Sequence, residues 1–326
     1  MRRREFIAGI SAAAWPLAAR TQPRSRPVIG LLHPASLQSW DIQGPAFFNG
    51  LGEEGYVDGG NVTINYVWGQ NRLDRLPALA NELARREPSV FVAVGGTAIV
   101  RAAMAATKTI PIVFLVGSNP VDAGLIASLA RPGGNATGVT ILTNDLIAKR
   151  IEALHTAVPF ATAIALLTNS TNPVVGNAEA NLAQQAAQAL GLDLMVFTAG
   201  NPDDIEAAFA VMARQRVGSL VVSADPLFLD QRDQLSALAA RHGIPSIYSD
   251  RAYVAAGGLM SYGAAFAESY RLVGVYTGRV LKGDKPANLP VHQVTKIQLA
   301  INHKTAKTLG ITIPTALLVR AEEVIE

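Results

Sequence analysis

Cysteine is absent from all 326 residues. That excludes disulfides, thiolate metal sites and a cysteine nucleophile, and with them a lipid anchor on a leader-terminal cysteine. Charge is scarce: 16% of residues are Asp, Glu, Lys or Arg, and they form no long block. With 49% apolar residues, this composition predicts a sizeable buried core and no disorder away from the ends. No internal apolar run reaches the roughly 18 residues that a membrane span needs. The phosphate-loop pattern G-x-x-x-x-G-K-[ST] and the G-x-S-x-G nucleophile elbow are both missing. Five histidines (His33, His155, His242, His292, His303) are scattered without metal-ligand spacing, and they read as surface or capping residues. No cofactor and no metal are expected.

What is present begins with an N-terminus shaped like an export signal. Arg2-Arg3-Arg4 is a basic start, "FIAGISAAAW" a short apolar stretch, and "PLAAR" a small-residue cleavage zone near Ala18 or Ala19. "RREFI" resembles the twin-arginine export motif. Residues 1–26 are thus expected to be a leader and short linker; the alternative is an amphipathic N-terminal helix. Six of the 28 basic residues and one of the 25 acidic ones fall in this stretch, which leaves 22 against 24. Cleavage after Ala19 would leave 25 against 24. The near-neutral remainder has no electrostatic footprint for nucleic acid. A soluble periplasmic protein, expected as a monomer with a small-molecule partner, fits these observations.

From residue 27 short β-rich runs alternate with helical patterns. "VIGLL" (28–32), "VTINYVW" (62–68), "SVFVAV" (89–94), "IPIVFLV" (110–116) and "ATGVTIL" (136–142) form a first set. Helices are expected between them, including Thr97 to Thr107 and "DAGLIASLA" (122–130). In "RLPALANELARR", Leu76, Leu79, Ala80 and Leu83 share one helical face. A second set follows: "ATAIALLT" (161–168), "DLMVFTA" (193–199), "GSLVVSA" (218–224), "IPSIYS" (244–249) and "GGLMSY" (257–262). Continuous Val/Ile runs separated by helices predict parallel sheets covered on both faces. The expected fold class is α/β, with two doubly wound lobes joined by tight crossovers that hinge around a cleft.

In open parallel sheets ligands bind beyond the carboxyl ends of the strands. In the first lobe these ends carry Ser36, Gly95-Gly96-Thr97 and Ser118-Asn119; in the second, Asn172, Asp225 and Asp250. If the lobes face each other, the cleft has a donor-rich wall and an acidic wall. Gly95-Gly96 permits close backbone approach, and Thr97 can cap the following helix. Free amides there suit an anion. The dinucleotide fingerprint wants three glycines after the first strand of its unit, whereas this turn has two adjacent ones after the third. A carboxylate therefore fits better than a phosphate, and a ligand-free tight turn stays open as an alternative. Asp225 and Asp250 also read as helix N-caps, Asp225 particularly because Pro226 follows it. Trp40, Phe114, Phe228, Tyr248, Tyr253 and Tyr262 lie near the ends, as core residues or as an aromatic lid.

"VGSNPVDAGLIASLARPGGNATGVT", "SADPLFLDQRDQLSALAARHGIPSIYSD", "YVAAGGLMSYG" and "LKGDKPANLPVHQVTKIQLAINHKTAKTLGITIP" resemble the substrate-binding proteins of ABC transporters, in the group that includes binders of tryptophan and other aromatic amino acids. The resemblance spans the chain after residue 27. It implies a type I periplasmic binding fold, with residues 27–143 plus about 264–290 in one lobe and 144–263 plus about 291–326 in the other. It also implies a ligand trapped on closure, delivery to an inner-membrane permease, and no chemistry on the ligand. By position, Gly95-Gly96-Thr97 and Ser118-Asn119 would hold a ligand carboxylate. Asp250 would face an ammonium or hydroxyl group. The strand-end reading adds Ser36, Asn172, Asp225 and Tyr253 as expected ligand contacts. Relatives often carry a Thr-Pro-Ala turn where this chain has Gly96-Thr97-Ala98. The competing readings are a nucleotide- or sugar-nucleotide-dependent enzyme and a ligand-sensing receptor module.

Overall fold

The computed structural model describes residues 26–326. The expected leader at 1–26 therefore lies outside the described residues but for Arg26. The first half of the chain runs β1 (Val28–His33), α1 (Leu37–Glu53), β2 (Thr63–Trp68), α2 (Leu76–Arg85), β3 (Val90–Val94), α3 (Thr97–Ala106), β4 (Ile112–Val116) and β5 (Ala136–Thr140). The chain then enters a second unit through α4 (Ile147–Ala157), β6 (Ala163–Asn169), α5 (Pro173–Ala189), β7 (Asp193–Ala199) and α6 (Pro202–Arg214). It continues with β8 (Ser219–Val222), α7 (Pro226–Asp230), α8 (Arg232–His242), β9 (Ser246–Tyr248), α9 (Arg251–Ala255) and β10 (Met260–Ala264). Helix α10 (Phe266–Leu281) and β11 (His292–Gln293) return to the first unit. Then β12 (Ile297–Asn302), α11 (His303–Thr308), α12 (Thr315–Leu318) and β13 (Glu323–Ile325) close the second.

Each unit is one sheet with helices on both faces. The first has strand order β11-β5-β4-β3-β1-β2, all parallel; the second is β13-β12-β10-β9-β8-β6-β7. The strands in the middle of each sheet are unbroken apolar runs because both faces are covered: every residue of β3, β4 and β8 is buried. Four apolar clusters, one per sheet face, form the core. In α2 the expected face holds, with Leu76, Ala80 and Leu83 buried and Leu79 packed against them. Ile205, Phe209 and Met212 of α6 do the same in the second lobe.

The structure departs from the expectation in three places. Residues 122–130 form turns, not a helix. Gly124 sits at φ +67°, and the backbone of Leu125 turns back onto Pro120, so Leu125 and Ile126 are buried without helical regularity. Strand β12 pairs antiparallel with β10, because it enters the sheet on the chain's third passage between lobes. That passage lies at 294–296 rather than near 290, since β11 still pairs with β5.

The chain crosses between sheets three times, after β5, after β10 and after β11. The first crossing holds Leu142 at φ +43°, a left-handed conformation that side-chain-bearing residues seldom adopt. Arg150, fully buried on α4, ties the first crossing to β10. Its Nε donates to Tyr262 O at 2.8 Å, and its Nη2 to Thr143 O and Oγ1 at 3.0 and 2.8 Å. Helix α10 returns tightly against α1, and Gly50 and Gly274 stand where a Cβ would strike the facing backbone. This contact sets the entrance of α10 beside the carboxyl ends of the first sheet.

Candidate functional site

One cavity of about 690 Å³ lies between the carboxyl ends of the two sheets, within the size range of small-molecule sites. Both lobes line it. From the first come Gly95, Gly96, Thr97, Ser118 and Asn119; from the second, Asn172, Asp225 and Asp250. Eight of the ten residues expected at a ligand are thus brought together. The other two are placed elsewhere. Ser36 is the N-cap of α1, its Oγ accepting from Gln38 N, and its backbone N–H faces the opposite lobe. Tyr253 is 1% exposed and stacks on Tyr248 at 4.5 Å in the core of the second lobe. Its phenol is buried by the short helix α9, which turns the ring away from the strand end.

The glycine turn follows from local backbone demands. Gly95 and Gly96 have φ of +107° and +123°, values that side-chain-bearing residues reach only under strain. A Cβ on Gly95 would stand 2.5 Å from Pro34 Cδ, whereas one on Gly96 would meet nothing. Gly95 thus serves packing as well as turning, while Gly96 leaves room. Thr97 does not cap α3; Gly96 occupies the N-cap position without a side-chain cap. The Thr97 hydroxyl instead pairs with Ser118 Oγ at 2.8 Å, joining the ends of β3 and β4. The result is a surface of hydroxyls and helix-terminal amides, a geometry that favours anions.

On the opposite wall both aspartates are N-caps, as one reading of the sequence held. Asp225 is closed: Oδ1 accepts from Asn169 Nδ2 and Leu227 N, and Oδ2 from Asn172 Nδ2 at 3.0 Å. Asp250 is half-open. Its Oδ1 accepts from Ala252 N at 2.7 Å, and among the described residues its Oδ2 has no partner. Burial pushes both carboxyls above the usual carboxylate range. The two asparagines and the Leu227 amide oppose this at Asp225, and the Ala252 amide opposes it at Asp250.

Several lining residues escaped the sequence reading, His33, Gln43, Asn71 and Arg101 among them. His33 was expected at the surface or as a cap, but it is 1% exposed and borders the cavity. The signal was its place at the end of the first strand. Its Nδ1 accepts from Ala35 N at 3.2 Å, which puts the proton of the neutral ring on Nε2. Burial lowers its pKa to about 4, against the pull of the Asp230 charge and of Gln43. Gln43 and Asn71 were hidden within a helix and a loop. Arg101, on α3, is the only Lys or Arg among the lining residues; its Nη2 donates to Ala123 O. The aromatic lid is not built from the six rings near the strand ends. Trp40, Phe114, Phe228, Tyr248 and Tyr253 are core residues, and the rings at the cavity are Phe266 and Tyr270 of α10.

The lobes also touch at the edge of the cavity. Asp230, 5% exposed at the end of α7, accepts through Oδ2 from Ser36 N at 3.0 Å and Asn71 Nδ2 at 2.9 Å. Both donors belong to the first lobe, so the two lobes are closed on each other here.

The model of the ABC transporter substrate binding protein family matches residues 29–325. The chain belongs to that family. Among curated relatives, a tyrosine-binding protein from Clostridioides difficile (strain R20291) is 26% identical over 292 residues, which is 89% of this chain and 83% of the relative. A Streptococcus pneumonia ABC domain in complex with L-Trp is 27% identical with a TM-score of 0.81, covering 92% of this substrate-binding protein and 100% of that chain. A conserved domain protein from Vibrio cholerae is 26% identical with a TM-score of 0.82 at the same coverage. The neighbours are type I periplasmic binding proteins, the fold expected from the sequence.

Proposed function

We propose that this substrate-binding protein is the exported, periplasmic receptor of an ABC importer. It captures one carboxylate-bearing solute, an aromatic amino acid, between its lobes and hands it unchanged to an inner-membrane permease, as a monomer and without a cofactor. The observation that carries this reading is the chemical asymmetry of the cavity between the lobes. Gly95, Gly96, Thr97 and Ser118 present donors suited to a carboxylate, and Asp250 presents a free carboxylate oxygen suited to an ammonium. An amino acid supplies both groups. Asn119 and Asn172 border the same space, and Phe266, Tyr270 and the aliphatic walls suit an apolar side chain. The L-Trp complex and the tyrosine-binding relative support the same solute class. Among the described residues no helix is long and apolar enough to cross a membrane.

The affinity balance needs both walls. A hydrogen bond to a charged group contributes about 1.5–3 kcal/mol net, and micromolar binding needs about 8 kcal/mol. No single turn supplies that, so a solute must engage both lobes, which couples binding to closure. The test is calorimetry of the purified protein with L-amino acids, followed by mass spectrometry of the recovered solute. Micromolar or tighter binding of an aromatic amino acid, one per chain and recovered intact, is expected. At a hundredfold excess over Kd the ligand should stabilise the fold by about 2.7 kcal/mol. A chemical product, or binding of no amino acid at all, sinks the reading.

A further inference from the structure

The carboxylate and ammonium positions leave one polar part of the cavity without an occupant. Gln43 of α1 is 6% exposed and lines the cavity, and among the described residues its Oε1 meets no hydrogen-bond donor. A buried carbonyl acceptor without a partner is costly, on the order of a lost hydrogen bond. Beside it stands His33, whose Nδ1 is occupied by Ala35 N–H, so its remaining ring N–H is a donor at Nε2. That nitrogen lies toward Gly95, 3.8 Å from where a Cβ on that glycine would stand. Gln43 is near enough to the ring to favour its protonation, yet among the described residues its Oε1 meets no donor in hydrogen-bond geometry. Each therefore keeps an open valence.

The surroundings make water a poor permanent partner. Trp40 and Trp68 meet the His33 ring edge-on at 6.2 and 5.9 Å, and Tyr270 borders the same corner. The corner thus offers one acceptor and one donor in an aromatic setting. A group that only donates leaves His33 Nε2–H unmet. A group that only accepts leaves Gln43 Oε1 unmet. A hydroxyl does both.

We infer that Gln43 Oε1 and His33 Nε2 form a reading site for a hydroxyl at the side-chain end of the solute, which donates to Gln43 and accepts from His33. The inference rests on the amino-acid reading above and narrows it to a phenol-bearing side chain in preference to a bare ring. Gln43 acts on specificity, not on the general affinity for the amino-acid head.

The experiment is calorimetry with L-tyrosine and L-phenylalanine on the wild-type protein and on Gln43→Leu. In the wild type, tyrosine is expected to bind at least about tenfold tighter than phenylalanine, as one buried hydrogen bond commands. In Gln43→Leu that ratio is expected to fall to about one. Equal affinities in the wild type overturn the hydroxyl site while leaving the amino-acid reading intact. Tyrosine selectivity that survives in Gln43→Leu overturns the role of Gln43. Binding of neither amino acid overturns the parent reading and this one with it. If Gln43→Leu melts early, the wild-type ratio alone decides.

Discussion

The two lobes repeat one architecture but present opposite chemistry to the cavity. The first offers hydroxyls, helix-terminal amides and a neutral imidazole, several with open hydrogen bonds. The second offers carboxylates already recruited as helix N-caps. A strand end in a doubly wound sheet must do two jobs, because it starts a helix and borders the ligand space. In the first lobe glycine satisfies the turn, so polar groups nearby stay available. In the second, aspartate satisfies the turn and spends acceptor capacity on it. What is left over for a ligand on the acidic wall is then decided by the neighbours. Asn169 and Asn172 close Asp225, and among the described residues nothing closes Asp250 Oδ2.

The sharpest way to break this comparison is to neutralise each acid without removing its cap. Asparagine caps helices about as well as aspartate. Asp250→Asn is therefore expected to leave the fold standing but to strand the solute ammonium. Removing one member of a buried ion pair costs about 3–5 kcal/mol, more than a hundredfold in Kd. Asp225→Asn is expected to do the reverse. It turns one acceptor into a donor facing the Asn amides, lowering stability by about 1–3 kcal/mol with affinity changed little. Calorimetry and urea unfolding of the two variants, side by side, check the pattern. Equal loss of affinity in both would erase the distinction between a closed and an open carboxylate.

The neutrality of the first lobe's wall rests on His33 and shows in the pH dependence of stability. Its folded pKa is about 4 and its unfolded value about 6.5. Between those limits the unfolded chain binds a proton that the folded chain does not. Stability contributed by the neutral ring is thus complete above about pH 6.5 and is lost as the pH falls towards 4, by up to about 3 kcal/mol. The buried carboxyls act in the opposite sense. Burial raises Asp225, Asp250 and Glu179, so each adds stability that disappears as pH rises through its folded pKa. Comparison of wild type with His33→Gln separates the two: urea unfolding should show the variants' difference in stability changing between pH 4 and 6.5. Parallel curves would mean a charged ring, and a first-lobe wall that is cationic rather than neutral.

Much of this arrangement was legible in the sequence. Alternating apolar runs and helical faces gave both sheets because strands covered on two sides need unbroken apolar stretches, and the strand-end rule led to Gly95, Ser118, Asn172, Asp225 and Asp250. The failures share a cause. Tyr253 and Ser36 sit within five residues of strand ends, and which way a side chain leaves a short helix or cap depends on tertiary packing. His33 was dismissed for lack of metal spacing, although its position at the carboxyl end of β1 marked it by the same rule that found the others. Gln43, Asn71, Phe266 and Tyr270 come from helices or a loop whose approach to the cavity is set by long-range contacts, such as the close crossing of α1 and α10. The helix expected at 122–130 failed because its Gly124 adopts a positive φ that ends regular structure.

The smallest expected effect concerns how the two unlike walls are held together. Asp230 accepts two hydrogen bonds from the first lobe, from Ser36 N–H and from Asn71 at the cavity's edge. In an open form Asp230, Ser36 N–H and Asn71 would all be hydrated, so the contact gains only the difference between water and protein partners, about 1 kcal/mol. Asp230→Ala should therefore weaken binding by roughly fivefold, through a smaller closed fraction and not through lost ligand contacts. The loss should fall on all solutes alike, unlike that in Gln43→Leu, and should appear mainly as faster release. Small-angle scattering of the ligand-free variant should show a larger radius of gyration than the wild type. A change in solute preference in Asp230→Ala would place this residue in the reading of the ligand, and the latch would then be part of the wall it was taken to join.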